Sequence, residues 1–181
     1  LAETFHKRTA GAETNVAIGL ARLGLKVGWA SRLGADAMAR YLLASMQAEG
    51  IDCSKVVCDP TQRTGFLFKG QVTDGSDPPV EYHRKGSAAS LMGPADVDEA
   101  WLRSARHLHA TGVFAAISDT SLQAARKSME VMRAAGRLRQ RHRGPLTGHR
   151  SRRADPAATS VPLGLQGRRR FPPPSHSVHH G

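Results

Sequence analysis

Apolar residues recur along this chain with a period that changes from segment to segment, and the changes mark out its elements. In residues 10–34, AGAETNVAIGLARLGLKVGWASRLG, Val16, Leu20 and Leu23 fall on one helical face, with Ala17 and Ala21 beside them. Gly24 stands where a left-handed C-cap belongs, and 27–30 read as a buried strand running on to Ser31, Arg32 and Gly34. Asp36 is placed to cap a second helix through Glu49, whose inner face carries Met38, Leu42, Ser45 and Met46. Gly50 closes that helix, and Ile51 supplies the apolar contact behind it. Residues 55–58 read as a short strand ending in the turn Asp59-Pro60-Thr61. Strands alternating with helices predict a parallel sheet.

The period then drops to two. Residues 64–72 (TGFLFKGQV) and 80–84 (VEYHR) alternate as a strand pair around the loop DGSDPP. A hairpin that interrupts a parallel series is expected to stand apart from the main sheet. Residues 85–90 form a flexible return. Asp96 or Asp98 starts a short helix through Arg103, with Val97 and Trp101 about one turn apart. Residues 107–113 alternate as a strand, and Ser118, Asp119 and Thr120 offer caps for a helix through Ala135. Leu122, Ala125, Met129 and Met132 keep helical spacing along it, and Gly136 ends it. No internal repeat is visible.

After Gly136 the periodicity disappears, and charge sharpens the break. Residues 1–136 hold 16 Lys+Arg against 14 Asp+Glu, a net of +2, whereas 137–181 hold 10 Arg against Asp155 alone, a net of +9. Two unrelated segments are implied, not one basic protein. The second is crowded with Arg, Gly, Pro, Ser and His, the composition of GC-rich coding DNA translated out of frame. A frame change near residue 136 is the expected origin; a gene read across that junction with no insertion or deletion relative to a full-length related gene would exclude it. The chain opens on Leu1 and not Met, so an upstream piece is expected.

Cys53 and Cys58 make neither a disulfide framework nor a zinc site, and suit a reducing, cytoplasmic setting. No apolar run reaches membrane-spanning length, and no signal peptide is present.

Gly11 and Asn15 are the first candidates for chemistry. Free backbone N–H groups at the mouth of a helix, together with an Asn amide, can hydrogen-bond hydroxyls. On the residues alone, a turn and a cap remain the competing reading. Tyr82 and Arg84 lie two apart on a strand and so share a face. A phenol beside a guanidinium suits a carboxylate, and a solvated strand face is the alternative. His107 and His109 also share a face but have no further ligand at metal spacing; His83 and the tail histidines His176, His179 and His180 are assigned no role. The Arg-rich tail offers non-specific, salt-dependent nucleic-acid binding as an alternative function, without a module to read sequence.

Ala10, Gly11, Asn15, Ala17, Gly24 and Gly34 together resemble the first signature of the ribokinase-like (PfkB) carbohydrate kinases. Within that family the chain is most similar to the 2-keto-3-deoxygluconate and 2-ketogluconate kinases. Their Tyr-x-Arg-Lys-Gly-Ser segment is similar to Tyr82-His83-Arg84-Lys85-Gly86-Ser87 here. Glu13 departs from the broad family pattern, which usually has a small residue or Pro there, and the sugar-acid branch tolerates Glu.

The resemblance implies an α/β chain: an incomplete ribokinase-like three-layer α/β/α fold over 1–136, with a small β lid at about 64–84; the composition of 137–181 predicts a disordered or out-of-frame tail. The resemblance also implies substrate binding by Gly11, Ala12, Asn15, Tyr82 and Arg84, with Leu67 where the family has a further lid Tyr. Arg63-Thr64-Gly65 resembles the approach to that lid.

The family's opening-strand Asp or Glu has no counterpart here, and neither does its Gly-Ala-Gly-Asp base. Asp155 lacks the glycine turn and cannot replace that base. ATP and Mg²⁺ are therefore implied for the full-length enzyme and none for this fragment, which should hold no catalytic or metal residue and turn nothing over alone. The implied partners are a small sugar acid and a second copy through the lid strands, with no membrane and no specific nucleic acid.

Overall fold

Two helix–strand pairs, α1 (Ala12–Arg22) with β1 (Lys26–Gly34) and α2 (Ala37–Ala48) with β2 (Asp52–Asp59), build the first half of the molecule. The structure, a computed structural model, describes residues 4–142 and 164–166. Gly24 and Gly50 take the left-handed conformation behind α1 and α2. The Ile51 N–H returns to the Met46 carbonyl at 3.2 Å while its side chain is buried, which completes a glycine-ended helix. The Asp36 carboxylate caps α2 by accepting the Ala39 N–H at 2.8 Å. β1 and β2 pair in parallel, as the strand–helix alternation predicts.

The buried helix faces differ from expectation at two positions. Leu23 is the C-cap residue of α1 and projects into solvent, and Met38 on α2 is exposed as well. Ala17 and Ala39 are buried in their place, flanked by Ile18, Leu20, Leu42 and Leu43. An alanine on the line of contact lets a helix approach the strands closely and leaves bulkier side chains at its flanks.

β3 (Phe66–Lys69) and β4 (Val80–His83) form a separate antiparallel pair, as their alternation predicts. The chain returns through single-turn helices at Ala88–Leu91 and Pro94–Asp96 to α3 (Glu99–Ser104), β5 (His107–Thr111), α4 (Gly112–Ala115) and α5 (Asp119–Ala134). The strand expected through Val113 stops at Thr111, whose hydroxyl accepts the Val113 N–H at 3.2 Å and opens α4. Ser118 and Ser121 cap α5 reciprocally.

β6 (Leu138–His142) and β7 (Gly164–Gln166) follow, and the main sheet has the order β2-β1-β7-β5-β6. β6 runs parallel to β5, while β7 is antiparallel to β1 at Lys26–Gly28 and to β5 at His107–Leu108. Both come from the segment expected to be a tail, of which 143–163 and 167–181 lie outside the described residues.

The sheet is covered on both sides. Val27, Trp29 and Leu33 on one face of β1 pack with α1 and α2. On the opposite face the Trp101 indole of α3 occupies the place where a side chain at Gly28 would stand, and its N–H donates to Asp52 at 3.3 Å. A second core gathers Leu102, Leu108, Phe114, Ala125, Val131 and Met132 between β5 and helices α3 to α5. The result is the three-layer α/β/α architecture with a small sheet set apart as a lid.

Candidate functional site

Gly11 is the N-cap of α1 and takes φ +141°, a conformation that L side chains rarely adopt. No side chain caps the helix from Gly11, and the Ala12 N–H in its first turn keeps its donor capacity. Asn15 stands one turn in. Its backbone N–H goes to the Gly11 carbonyl at 2.8 Å, and its exposed side chain makes no hydrogen bond among the described residues. Asn15 is therefore not the cap, and its amide is turned outward at the head of α1.

Glu13 lies half-buried between the start of α1 and the end of β5. The Thr111 hydroxyl donates to its Oε1. Burial pushes the Glu13 carboxyl above its ordinary range; the Thr111 bond, backbone N–H groups and the positive charge of Arg84 pull the other way without cancelling it. Arg84 thus acts on Glu13 from the lid, although the two do not form a direct ion pair.

The lid has two unlike faces. Leu67 stands opposite Tyr82 in the β3–β4 register, and the Arg84 guanidinium lies over the Tyr82 ring, 4.6 Å from its centroid. This is the shared face that the spacing of Tyr82 and Arg84 predicts, and the pair touches. Tyr82 is 57% exposed, so the pair is presented to solvent. The reverse face is aromatic: Phe66 stacks on His83 at 4.8 Å, Phe68 meets both edge-on at 5.5 Å, and Phe5 reaches Phe68 at 5.4 Å. His83 Nε2 lies 2.8 Å from a Glu81 carboxylate oxygen. The stretch carrying Phe5 is also fastened to α2, because the Tyr41 hydroxyl donates to the Lys7 carbonyl at 3.2 Å.

Two carboxylates hold the base of the lid. Asp36, besides capping α2, accepts the Thr64 N–H at 2.7 Å, and the Thr64 hydroxyl accepts the Gly34 N–H at 2.9 Å. Asp59 accepts from both the N–H and the hydroxyl of Thr61 at 2.8 Å and from the Gln62 N–H at 3.1 Å. Its second oxygen takes two donors of Arg32, at 2.9 and 3.0 Å, and Arg32 reaches on to Asp96 at 3.1 Å. The lid closes on itself where the Ala88 N–H meets the Arg63 carbonyl at 2.9 Å. Thr64, expected at the approach to the lid, is therefore part of its anchor.

The structure brings Tyr82 and Arg84 together, and the charge of Arg84 is among the influences that lower the Glu13 carboxyl on α1. Sequence reasoning passed over Thr111, and it marked Glu13 only as a departure from a pattern; nothing local signals a contact 98 residues long. His107 and His109 lie on β5 and are half-buried and buried. Among the described residues no group of three or more His, Cys, Asp or Glu is placed to hold a metal ion. His176, His179 and His180 lie outside the described residues.

The sequence pattern of the pfkB family carbohydrate kinases matches residues 1–144. The 2-dehydro-3-deoxygluconokinase of Bacillus subtilis (strain 168) is 42% identical over 135 residues, covering 74% of this chain and 41% of that protein. The crystal structure of a PfkB protein from Polaromonas sp. JS666 is 78% identical with a TM-score of 0.76, covering 79% of this chain and 48% of that one. An uncharacterised sugar kinase from Pyrococcus horikoshii, solved in complex with ATP, is 26% identical with a TM-score of 0.65, covering 76% and 44%. The chain spans less than half the length of each of these proteins.

Proposed function

Because this chain belongs to the pfkB family of carbohydrate kinases, we propose that it is the substrate-binding part of a kinase that phosphorylates a 2-keto sugar acid. The ligand sits between the head of α1 and the Tyr82–Arg84 face of the lid. In this reading Arg84 takes the carboxylate of the sugar acid in a planar, two-pronged contact, and Tyr82 holds the guanidinium flat. Gly11, Ala12 and Asn15 offer backbone and amide hydrogen bonds to the hydroxyls. ATP and Mg²⁺ are co-reactants of the full-length enzyme, with the phosphoryl acceptor a sugar hydroxyl. The observation that carries the reading is the position of Arg84, stacked on Tyr82 and acting on the α1 end of the site. The similarity to a 2-dehydro-3-deoxygluconokinase supports the choice of substrate class.

Calorimetric titration of the full chain with 2-keto-3-deoxygluconate tests it. Arg84→Leu is expected to weaken binding at least about tenfold, since a hydrogen bond to a charged group contributes about 1.5–3 kcal/mol. Arg84→Lys should recover part of the loss. Equal affinity in wild type and Arg84→Leu would overturn the role of Arg84, and no binding by the wild type would overturn the substrate reading.

The aromatic face of the lid supports a further element of this proposal. Phe5 and Phe68 are exposed on it, and pairing of two copies there would cover them. Sedimentation velocity is expected to show a concentration-dependent monomer–dimer equilibrium that Phe68→Glu shifts to monomer. A monomer at every concentration would remove the dimer from the proposal.

A further inference from the structure

Buried hydroxyls in this chain are generally bonded. Those of Ser90, Ser121 and Ser128 donate to backbone carbonyls, the Thr64 hydroxyl accepts the Gly34 N–H, and the Thr111 hydroxyl donates to Glu13. Ser87 differs. It is 1% exposed, and its Oγ has no hydrogen-bond partner among the described residues. Although it heads the single-turn helix Ala88–Leu91, its side chain does not cap it. A hydroxyl taken out of water without a partner destabilises the state in which it is left so.

Ser87 stands at the root of the lid. Its N–H returns to the Arg84 carbonyl at 3.2 Å, across Gly86 with φ +68°, and this turn fixes the backbone of Arg84 just beyond β4. The β3–β4 register, continued one step past Phe66 and His83, sets Gly65 opposite Arg84. A side chain at Gly65 would begin 3.2 Å from Ser87 Oγ and 3.3 Å from Arg84 Cβ. The hydroxyl therefore faces the backbone of the strand that enters the lid, beside the strand that leaves it with Arg84. Tyr82 and Arg84 are exposed, so the hydroxyl is unpartnered in a form of the lid that is open to solvent.

We propose that Ser87 is a positioning residue: its hydroxyl gains an acceptor on the Gly65 backbone when the lid tilts onto the sugar acid, and that bond holds Arg84 against the ligand. This rests on the sugar-acid reading above and adds to it a hydrogen bond made in the ligand-bound form alone. A ligand shifts an equilibrium between two lid positions only by its preference for one of them. Pairing a hydroxyl that the open position leaves unpaired adds to the stability of the closed one. Ser87 itself does not touch the ligand and acts through Arg84.

The test is Ser87→Ala on the full chain, read in two ways. Without ligand, its urea midpoint is expected to equal or exceed that of the wild type, because the substitution removes an unpaired polar group and breaks no bond. Calorimetric titration with 2-keto-3-deoxygluconate is expected to show binding weakened about threefold to tenfold, the range of one neutral hydrogen bond. A residue that serves only the fold gives the reverse pattern, a lower midpoint with unchanged affinity. Gly65→Ala narrows the same approach and should also weaken binding, and the double variant should lose little beyond either single one.

A lower midpoint in ligand-free Ser87→Ala would show that the hydroxyl is already bonded, which overturns the proposal. Unchanged affinity in Ser87→Ala, with Arg84→Leu still impairing binding, also overturns it and spares the sugar-acid reading. No binding by the wild type overturns both.

Discussion

A Gly34→Ala chain is expected to unfold more easily by about 3 kcal/mol, near the top of the usual range for overpacking. Space, and not backbone conformation, requires glycine at this position. A methyl group built on Gly34 would stand 2.4 Å from the Gln62 carbonyl oxygen, 2.7 Å from an Asp36 carboxylate oxygen and 2.8 Å from the Thr64 nitrogen. Two of those atoms are backbone, and all three belong to the anchor of the lid: Gln62 is held by Asp59, and Thr64 by Asp36. None can withdraw without breaking a hydrogen bond. The added methyl must also push apart the Gly34 N–H and the Thr64 hydroxyl. Urea denaturation measures the effect, with sugar-acid binding as a second readout, because a displaced Thr64 tilts the lid away from α1. A midpoint within experimental error of the parent's would mean that the base of the lid is looser than these distances say.

The second large effect is with pH. Asp59 is held well below the ordinary carboxylate range, first by the Thr61 N–H, then by the Thr61 hydroxyl and Arg32. For Asp36 burial pushes the other way, but the bonds from Thr64 and Ala39 outweigh it and the pKa still falls. Asp52, Asp74, Asp98 and Glu49 are lowered too. A carboxylate with a depressed pKa in the folded state contributes stability that is complete above its unfolded value of about 4 and is lost as pH falls through the folded value.

Glu13 has the opposite sign. Its folded pKa is raised, so it favours the folded state more as pH falls through that value. Six groups against one predict a net collapse below about pH 4, with the exposed pairs of Glu49 and Asp98 contributing least because solvent and salt screen them. Urea midpoints measured between pH 7 and pH 2.5 should fall steeply over the last stretch, and less steeply in Asp59→Asn, which starts lower. A flat profile would show that the two carboxylates at the lid base do not hold the fold.

Sequence periodicity made the helices and the lid strands legible, because each is a local pattern. The α5 spacing of Leu122, Ala125, Met129 and Met132, the glycine ends at Gly24 and Gly50, and the Asp36 cap all lie within a few residues of what they explain. The inner faces of α1 and α2 were less legible. An apolar stripe is wider than the line of contact, and nothing local says that Ala17 and Ala39, and not Leu23 and Met38, occupy its centre. The lid anchor was hidden for a different reason: Arg32 meets partners 27 and 64 residues away, so its role depends on which strands lie side by side. The site followed the same division. Tyr82 and Arg84 share a face by strand alternation, whereas the Glu13–Thr111 contact exists only once the sheet has formed.

The hydrogen bond between the Ala88 N–H and the Arg63 carbonyl makes the lid a closed loop whose two ends meet on the scaffold. The entropy of closing such a loop grows only with the logarithm of its length, so doubling it costs about 0.6 kcal/mol. The lid is therefore a cassette. Its length and the residues on its Tyr82–Arg84 face can change while Asp36, Asp59 and Arg32 keep the socket, with little demand on the stability of the rest.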